Sequence, residues 1–193
     1  MVRPRSFDQN VVLDRAIDVF SRQGFEATTI QALEIEMGLG RGSLYAAFGD
    51  KHGLFLATLD RYNESRTAEY LKLLDAEPSG LLAVHQFLAR VVEETAACGG
   101  RKACLITIAT MGIAAYDGDT SDRVLSNWAM TEEALERALE RAKSDGEISS
   151  KQSSLTLARF LVNTVQGIKV RARVTPDRAT LSEIAETALA CLG

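Results

Sequence analysis

The sequence predicts an all-α chain of about nine helices, with a three-helix helix-turn-helix domain at the N-terminus and a larger helical domain after it. Three observations predict this class. Apolar residues recur at helical spacing in nearly every segment. Alternating β-branched runs are scarce. The three prolines, Pro4, Pro78 and Pro176, fall outside the strongly periodic stretches, where a helix interior would not tolerate them. At 193 residues and 46% hydrophobic the chain can bury a sizeable core, in one compact domain or two small ones.

The first helix starts near Asp8 and carries Leu13, Ala16, Ile17 and Phe20 on one stripe, with Gly24 as its C-terminal stop. From Thr28 to Lys51 the chain reads TTIQALEIEMGLGRGSLYAAFGDK. Ile30, Leu33 and Met37 share one helical face, and Leu44, Ala47 and Phe48 another, across a break at Gly38-Leu39-Gly40. A three-residue break is too short for a long antiparallel hairpin and suits two short helices set at a steep angle. Gly38 can take the positive φ of that turn, and Gly40 can cap the second helix modestly. Asp50 is a good N-cap for the next helix, which runs to about Asp75 and stops at Glu77-Pro78-Ser79-Gly80.

A helix from Leu81 to Cys98 carries Leu82, Phe87, Leu88, Val91 and Val92, and ends at Gly99-Gly100. The next starts near Arg101, is apolar nearly all round through Ile113, as a buried helix is, and ends at Asp117-Gly118-Asp119. From Ser121 to Ser144 the inward residues are Leu125, Trp128, Leu135 and Leu139, with Glu133 and Arg137 paired on the wet face. Residues 153–173 carry Leu157, Leu161, Val165 and Ile168 on one face, with Leu155, Phe160 and Val162 off it. Two apolar faces imply burial on two sides, against the core and against a second subunit. Pro176 opens the last helix, which carries Leu181, Ile184, Ala185, Ala188, Leu189 and Leu192.

The outward residues of the helix after Gly40 are Arg41, Gly42, Ser43 and Tyr45. A recognition helix presents its N-terminal residues to base edges in the major groove. Arg41 has the fork that pairs with guanine, and the Ser43 and Tyr45 hydroxyls can hold phosphate. Lys51, at a helix start, fits a phosphate site. Thr28 and Thr29 are N-caps of the second helix, and one of them can also touch phosphate. Arg3 and Arg5 fit either an arm in the minor groove or a disordered basic tail. Each of these residues has a plainer reading: Arg41 as a solvated arginine, Tyr45 as a packing residue.

The run from Phe7 to about Tyr62 resembles the DNA-binding domain of the TetR (tetracycline repressor) family of bacterial regulators. The resemblance rests on Ala16, Phe20, Gly24-Phe25, Thr28-Thr29-Ile30, Gly38, Ser43-Leu44-Tyr45, Phe48 and Asp50-Lys51, followed by Leu54-Phe55. Glu34, where the family carries a small residue, and Gly40, where Ser or Thr is usual, are departures. Past Tyr62 the likeness is weaker, although Gly100-Arg101-Lys102-Ala103-Cys104-Leu105 and Val165-Gln166-Gly167 resemble a subset of these regulators. The resemblance implies domains at residues 1–50 and 51–193 and no enzymatic activity or cofactor. It further implies a homodimer through the last two helices, double-stranded operator DNA as partner, and a small-molecule pocket in the C-terminal domain. Release of a repressor from its operator by a small-molecule or thiol-reactive effector is the expected function. An accessory DNA binder without effector input and an all-helical enzyme are the alternatives.

Charge by itself does not point to nucleic acid. The net charge is −4, and residues 1–51 carry six basic against seven acidic side chains. The local patch matters more than the sum. The two histidines, His52 and His85, lie in different segments, there is no G-x-S-x-G elbow, and Cys98 and Cys104 have no histidine nearby for a zinc site. No G-K-[ST] follows the glycines at 38, 40 and 42. No apolar run reaches the length of a membrane span, and MVRPRSFDQN lacks an apolar h-region, so a cytoplasmic location is expected. Tyr62, Met111, Trp128, Phe87 and Phe160 are candidate pocket residues and equally ordinary core; His85 and Gln166 are candidate orienting polar groups. Cys104, expected in the first turn of its helix behind Arg101 and Lys102, is read either as a sensing thiolate, with Cys98 to resolve it, or as an inert buried residue.

Overall fold

The computed structural model describes residues 7–100 and 103–193, and Arg3, Arg5, Arg101 and Lys102 lie outside that set. All regular structure among the described residues is helical: α1 (Gln9–Ala27), α2 (Ile30–Met37), α3 (Arg41–Phe48), α4 (Lys51–Tyr62), α5 (Ala68–Ala76), α6 (Gly80–Ala97), α7 (Leu105–Met111), α8 (Gly118–Ser144), α9 (Ser154–Ala172) and α10 (Arg178–Ala190). A π turn over Asn63–Thr67 follows α4 and precedes α5. No helix is long and apolar enough to cross a membrane.

Short polar side chains set most helix starts. Asp8, Thr29, Asp50, Ser79, Ser153 and Asp177 each accept a backbone N–H from the first turn of the helix they precede, which satisfies a donor the helix cannot. Gly40 before α3 offers no such side chain. Proline 176 is therefore not the start of the last helix; Asp177 caps it.

The chain divides into two compact units, one holding the described residues up to Ser65 together with Cys104–Val124, the other Arg66–Ala103 with Leu125–Gly193. Compactness thus places α4 and α7 with α1–α3 instead of cutting the chain after residue 50. The cause is packing: α4 and α7 both lie on α1. Phe20 meets Phe55 edge-on at 4.9 Å between centroids, and Phe25 lies 5.1 Å from Phe55, the spacing aromatic pairs favour. Leu13, Ile17, Leu33, Met37, Leu44 and Leu54 complete this core.

The second unit is centred on Phe87, Leu88, Val91, Leu135, Leu139, Leu161 and Val165 from α6, α8 and α9, with Leu181 of α10. Here α6 and α8 approach so closely that a Cβ on Gly80 would stand 2.0 Å from the Ala138 carbonyl oxygen and 2.5 Å from the Ala142 nitrogen.

Several expectations need correction. Leu125 is 54% exposed, and Val124 is buried in its place, because Val124 and Leu135 stand eleven residues apart, about three full turns. Arg137 pairs with Asp75 of α5 at 3.0 Å, not with Glu133. The α7 helix begins at Leu105 and ends at Met111, since Gly112 leaves helical geometry and Ile113–Ala115 form a 3-10 turn; Cys104 is its N-cap residue. Of the two apolar faces of α9, the one with Ile168 is fully buried in the core, whereas Phe160 on the other stays 42% exposed.

Gly80→Ala should lower stability by about 1–3 kcal/mol, because the new methyl meets backbone that cannot swing aside. That corresponds to roughly 2–4 °C of melting temperature per kcal/mol for a chain of this size. Gly118→Ala, whose methyl enters open space, should shift the melt by less than about 0.5 kcal/mol. Thermal melts followed by circular dichroism compare the two.

Candidate nucleic-acid interface

The helix pair α2–α3 is built from its turn outward. Gly38 ends α2 in the left-handed region at φ 67°, and its N–H and that of Leu39 both reach the Glu34 carbonyl, at 3.0 and 3.2 Å. Such a turn closes the carbonyls a helix leaves open. An Nη1 donor of Arg15 on α1 adds a bond to the Met37 carbonyl at 3.3 Å, and Arg22 pairs with Glu36 at 2.9 Å. Two arginines of α1 thereby hold α2.

On α3 the inner face buries Leu44 completely, with Ala47 and Phe48 half-buried. The outer face exposes Arg41, Gly42, Ser43 and Tyr45. The Gly40 carbonyl accepts from Ser43 and Leu44, so the amides of Arg41 and Gly42 at the helix N-terminus meet no capping side chain. An uncapped N-terminus favours an anion. Arg41, Ser43 and Tyr45 engage no described residue through their side chains. Arg22, Arg61 and Arg123 of the same unit, by contrast, are held by Glu36, Asp14 and Asp60, Arg61 and Arg123 each through two bonds. The acids that make the N-terminal charge sum negative are thus in part neutralised locally, and among the described arginines of this unit the one left for a partner is Arg41 on α3.

The structure treats the other expected site residues unequally. Thr29 is exposed and caps α2 through its hydroxyl, which accepts the Ala32 amide at 3.1 Å. Thr28 is no cap of α2. It is 1% exposed and donates its hydroxyl to the Gly24 carbonyl, because Gly24, at φ 77° and ψ 175°, kinks α1 and frees that oxygen. Lys51 turns inward: its ammonium donates to the Phe25 and Thr28 carbonyls at 2.9 and 3.1 Å and stands 4.3 Å above the Phe25 ring.

Of the candidate pocket residues, Tyr62 and Cys104 come together, the tyrosine hydroxyl donating to the thiol sulfur at 3.2 Å. Met111 is 57% exposed, and His85 is exposed on α6, not enclosed among apolar neighbours. Trp128 and Gln166 are half-buried, and the Trp128 indole nitrogen is enclosed without an acceptor among the described residues. Phe87 is core. Cys98 belongs to the second unit and Cys104 to the first. No three metal-binding side chains cluster among the described residues.

Among the contacts of the first unit that sequence reasoning missed is one whose members stand 65 positions apart: His52 Nε2 lies 3.0 Å from Asp117 Oδ2. Asp117 also accepts the Thr120 amide at 2.8 Å and so caps the start of α8. Its carboxyl is brought down from 3.8 to about 2, first by the Thr120 side chain beside it, then by the His52 imidazole, with the Thr120 amide adding to both and partial burial opposing them. The folded value lies below the unfolded one, so the stabilisation is complete above about pH 4 and is lost as pH falls toward about 2. Asp117→Asn should melt lower than the parent chain at neutral pH, with the difference closing across that acid window. Melts at a series of pH values measure it.

Comparison with known proteins agrees with this geometry. The model of bacterial regulatory proteins of the tetR family matches residues 12–58, and that of the tetracyclin repressor-like C-terminal domain matches residues 80–188. The chain is 31% identical over 188 residues to the transcriptional repressor ComR of Escherichia coli, covering 97% of this chain and 90% of ComR. It is 30% identical over 193 residues to the uncharacterised HTH-type regulator YezE of Bacillus subtilis, covering 100% of both. Among solved structures, a cysteine mutant of the TetR family regulator CifR in complex with 26-bp double-strand operator DNA superposes with a TM-score of 0.87 at 28% identity, covering 99% of this chain and 100% of that one. This chain belongs to the TetR family: it is a DNA-binding transcriptional regulator and not an enzyme.

Proposed function

We propose that the chain is a homodimeric repressor that reads its operator with α3 and leaves it when an effector engages the C-terminal domain. The observation that carries the reading is the outer face of α3, where Arg41, Ser43 and Tyr45 are exposed and engage no described residue through their side chains while Leu44 anchors the helix from behind. Arg41 is assigned to guanine in the major groove, and Ser43, Tyr45, Thr29 and the open amides at Arg41 and Gly42 to phosphate. Thr28 is buried and acts through the turn. ComR is named a repressor, and CifR was captured with operator DNA; both support the direction of regulation and the partner.

The dimer is assigned to α9 and α10. Phe160 and Thr164 of α9 line an open groove with Thr180, Glu183, Ile184 and Thr187 of α10, a surface whose apolar members nothing in the protomer covers fully. The effector acts by population shift, favouring a dimer whose two recognition helices no longer match the half-site spacing. Its entry point is assigned to Cys104, whose sulfur accepts from the hydroxyl of Tyr62 at the end of α4; alkylation by an electrophile, or oxidation by a peroxide, displaces that contact. A non-covalent ligand of the second unit beside Trp128, whose enclosed N–H has no acceptor among the described residues, is the second reading.

Titration of labelled operator by fluorescence anisotropy tests these assignments. Arg41→Ala should lose about 1–3 kcal/mol of discrimination between operator variants; equal loss on every sequence would remove Arg41 from base readout. Phe160→Asp should sediment as a monomer and bind operator weakly, and an intact dimer would move the interface elsewhere. Cys104→Ser should abolish release by a maleimide or peroxide if the thiol is the input. Parent protein that ignores both reagents leaves the non-covalent reading.

A further inference from the structure

The ammonium of Lys51 sits where a helix ends badly. Past the Gly24 kink, α1 closes in a last turn before Thr28, and the carbonyls of Phe25 and Thr28 both accept from Nζ. A cation is the favoured partner for carbonyls at a helix C-terminus. The Phe25 ring beneath it, 4.3 Å away, adds a cation–π contact, and Phe25 in turn packs on Phe20 and Phe55. One end of this arrangement is therefore the 25–28 segment that leads directly into Thr29 and α2.

The other end is the exit of α3. Lys51 is the first residue of α4, after Gly49, at φ 81°, and Asp50, whose side chain caps α4 through the Gly53 amide at 2.7 Å. A Cβ on Gly53 would stand 2.2 Å from the Phe48 carbonyl oxygen, so the end of α3 rests directly on the first turn of α4. Whatever fixes the start of α4 fixes the exit of α3.

We propose that Lys51 is a positioning residue for the recognition helix and not a phosphate ligand: its ammonium ties the start of α4 to the turn between α1 and α2 and so sets the angle of α3. Arg15 and Arg22 secure α2 from α1, and Lys51 secures the far end of α3 from the same helix. With two donors given to carbonyls and its charge set over an aromatic face, the side chain acts on DNA only through α3. The inference rests on α3 as the reading helix.

The test compares the parent chain with Lys51→Met on a duplex that the parent chain itself selects from a random-sequence pool. Affinity is measured across a salt series, and amide hydrogen exchange is measured on the free proteins. Positioning predicts a loss of about tenfold in affinity, the scale of a hydrogen bond to a charged group, with the plots of log affinity against log salt running parallel. It also predicts faster exchange at residues 28–33 and 41–48 in free Lys51→Met. A phosphate ligand predicts a slope shallower by about 0.9 and free-protein exchange unchanged. A shallower slope overturns the proposal whatever the exchange shows, and unchanged affinity overturns it as well. Should Lys51→Met lose its helical circular dichroism, Lys51→Gln, which keeps a donor for the carbonyls but not the charge, decides by its salt plot: positioning predicts a slope parallel to that of the parent chain, and a slope shallower by about 0.9 overturns it. Arg41→Ala measured alongside separates the two claims: parent-like binding by that variant would remove α3 as the reader, while the exchange data on free protein still decide the role of Lys51.

Discussion

A helix that reads a groove must keep one side open, and α3 has eight residues with which to do so. Leu44 is its one fully buried side chain, which contributes about 1.5–3 kcal/mol and does little to fix an orientation. The helix has no side-chain N-cap. Its placement therefore comes from its ends: the left-handed Gly38 turn on one side, the Gly49–Asp50 turn and the close approach at Gly53 on the other. Around them Arg15, Arg22 and Lys51 each reach across to another element. The unit spends most of its long cationic side chains on internal bonds and keeps Arg41 for the outside, which is how a chain with net charge −4 can still present a binding face to DNA.

Much of this was legible in the sequence. The glycine break, the apolar faces around Leu33, Met37 and Leu44, the Asp50 cap and the outward set Arg41, Gly42, Ser43 and Tyr45 all follow from local periodicity and backbone chemistry, which act within a few residues. What escaped was mostly long-range. Thr28 and Lys51 look like surface residues at helix starts. Only the kink at Gly24 makes carbonyls available to both, and the direction of a side chain toward a partner 23 or 26 positions away leaves no local pattern. The Arg61–Asp14, Arg123–Asp60 and His52–Asp117 contacts were hidden for the same reason. The two apolar faces of α9 were visible, but periodicity does not say which faces inward: Ile168 is buried in the core and Phe160 is 42% exposed.

The division into units has a functional side. Since α7 and the start of α8 pack with the helix-turn-helix, the segment from Cys104 to Val124 belongs by packing to the DNA-binding unit and by sequence to the region after it. Ile108 of α7 lies 3.5 Å from where a Cβ on Gly24 would be, at the kink that also supplies the carbonyl for Thr28. Tyr62 meets Cys104 at one end of this segment, and His52 meets Asp117 at the other. The α7 helix thus packs directly on α1 and α4, the elements that hold α2 and α3.

The central claim is that α3 reads guanine in the major groove, twice per dimer. Guanine N7 methylation interference on an operator fragment tests it most directly, because N7 lies in that groove and is one of the two atoms an arginine fork engages. The account predicts interference in two half-sites related by a two-fold axis and spaced by about a whole number of helical turns, with one guanine in each half-site losing its effect in Arg41→Ala. Interference confined to one half-site, or a pattern identical in the parent chain and Arg41→Ala, would contradict it.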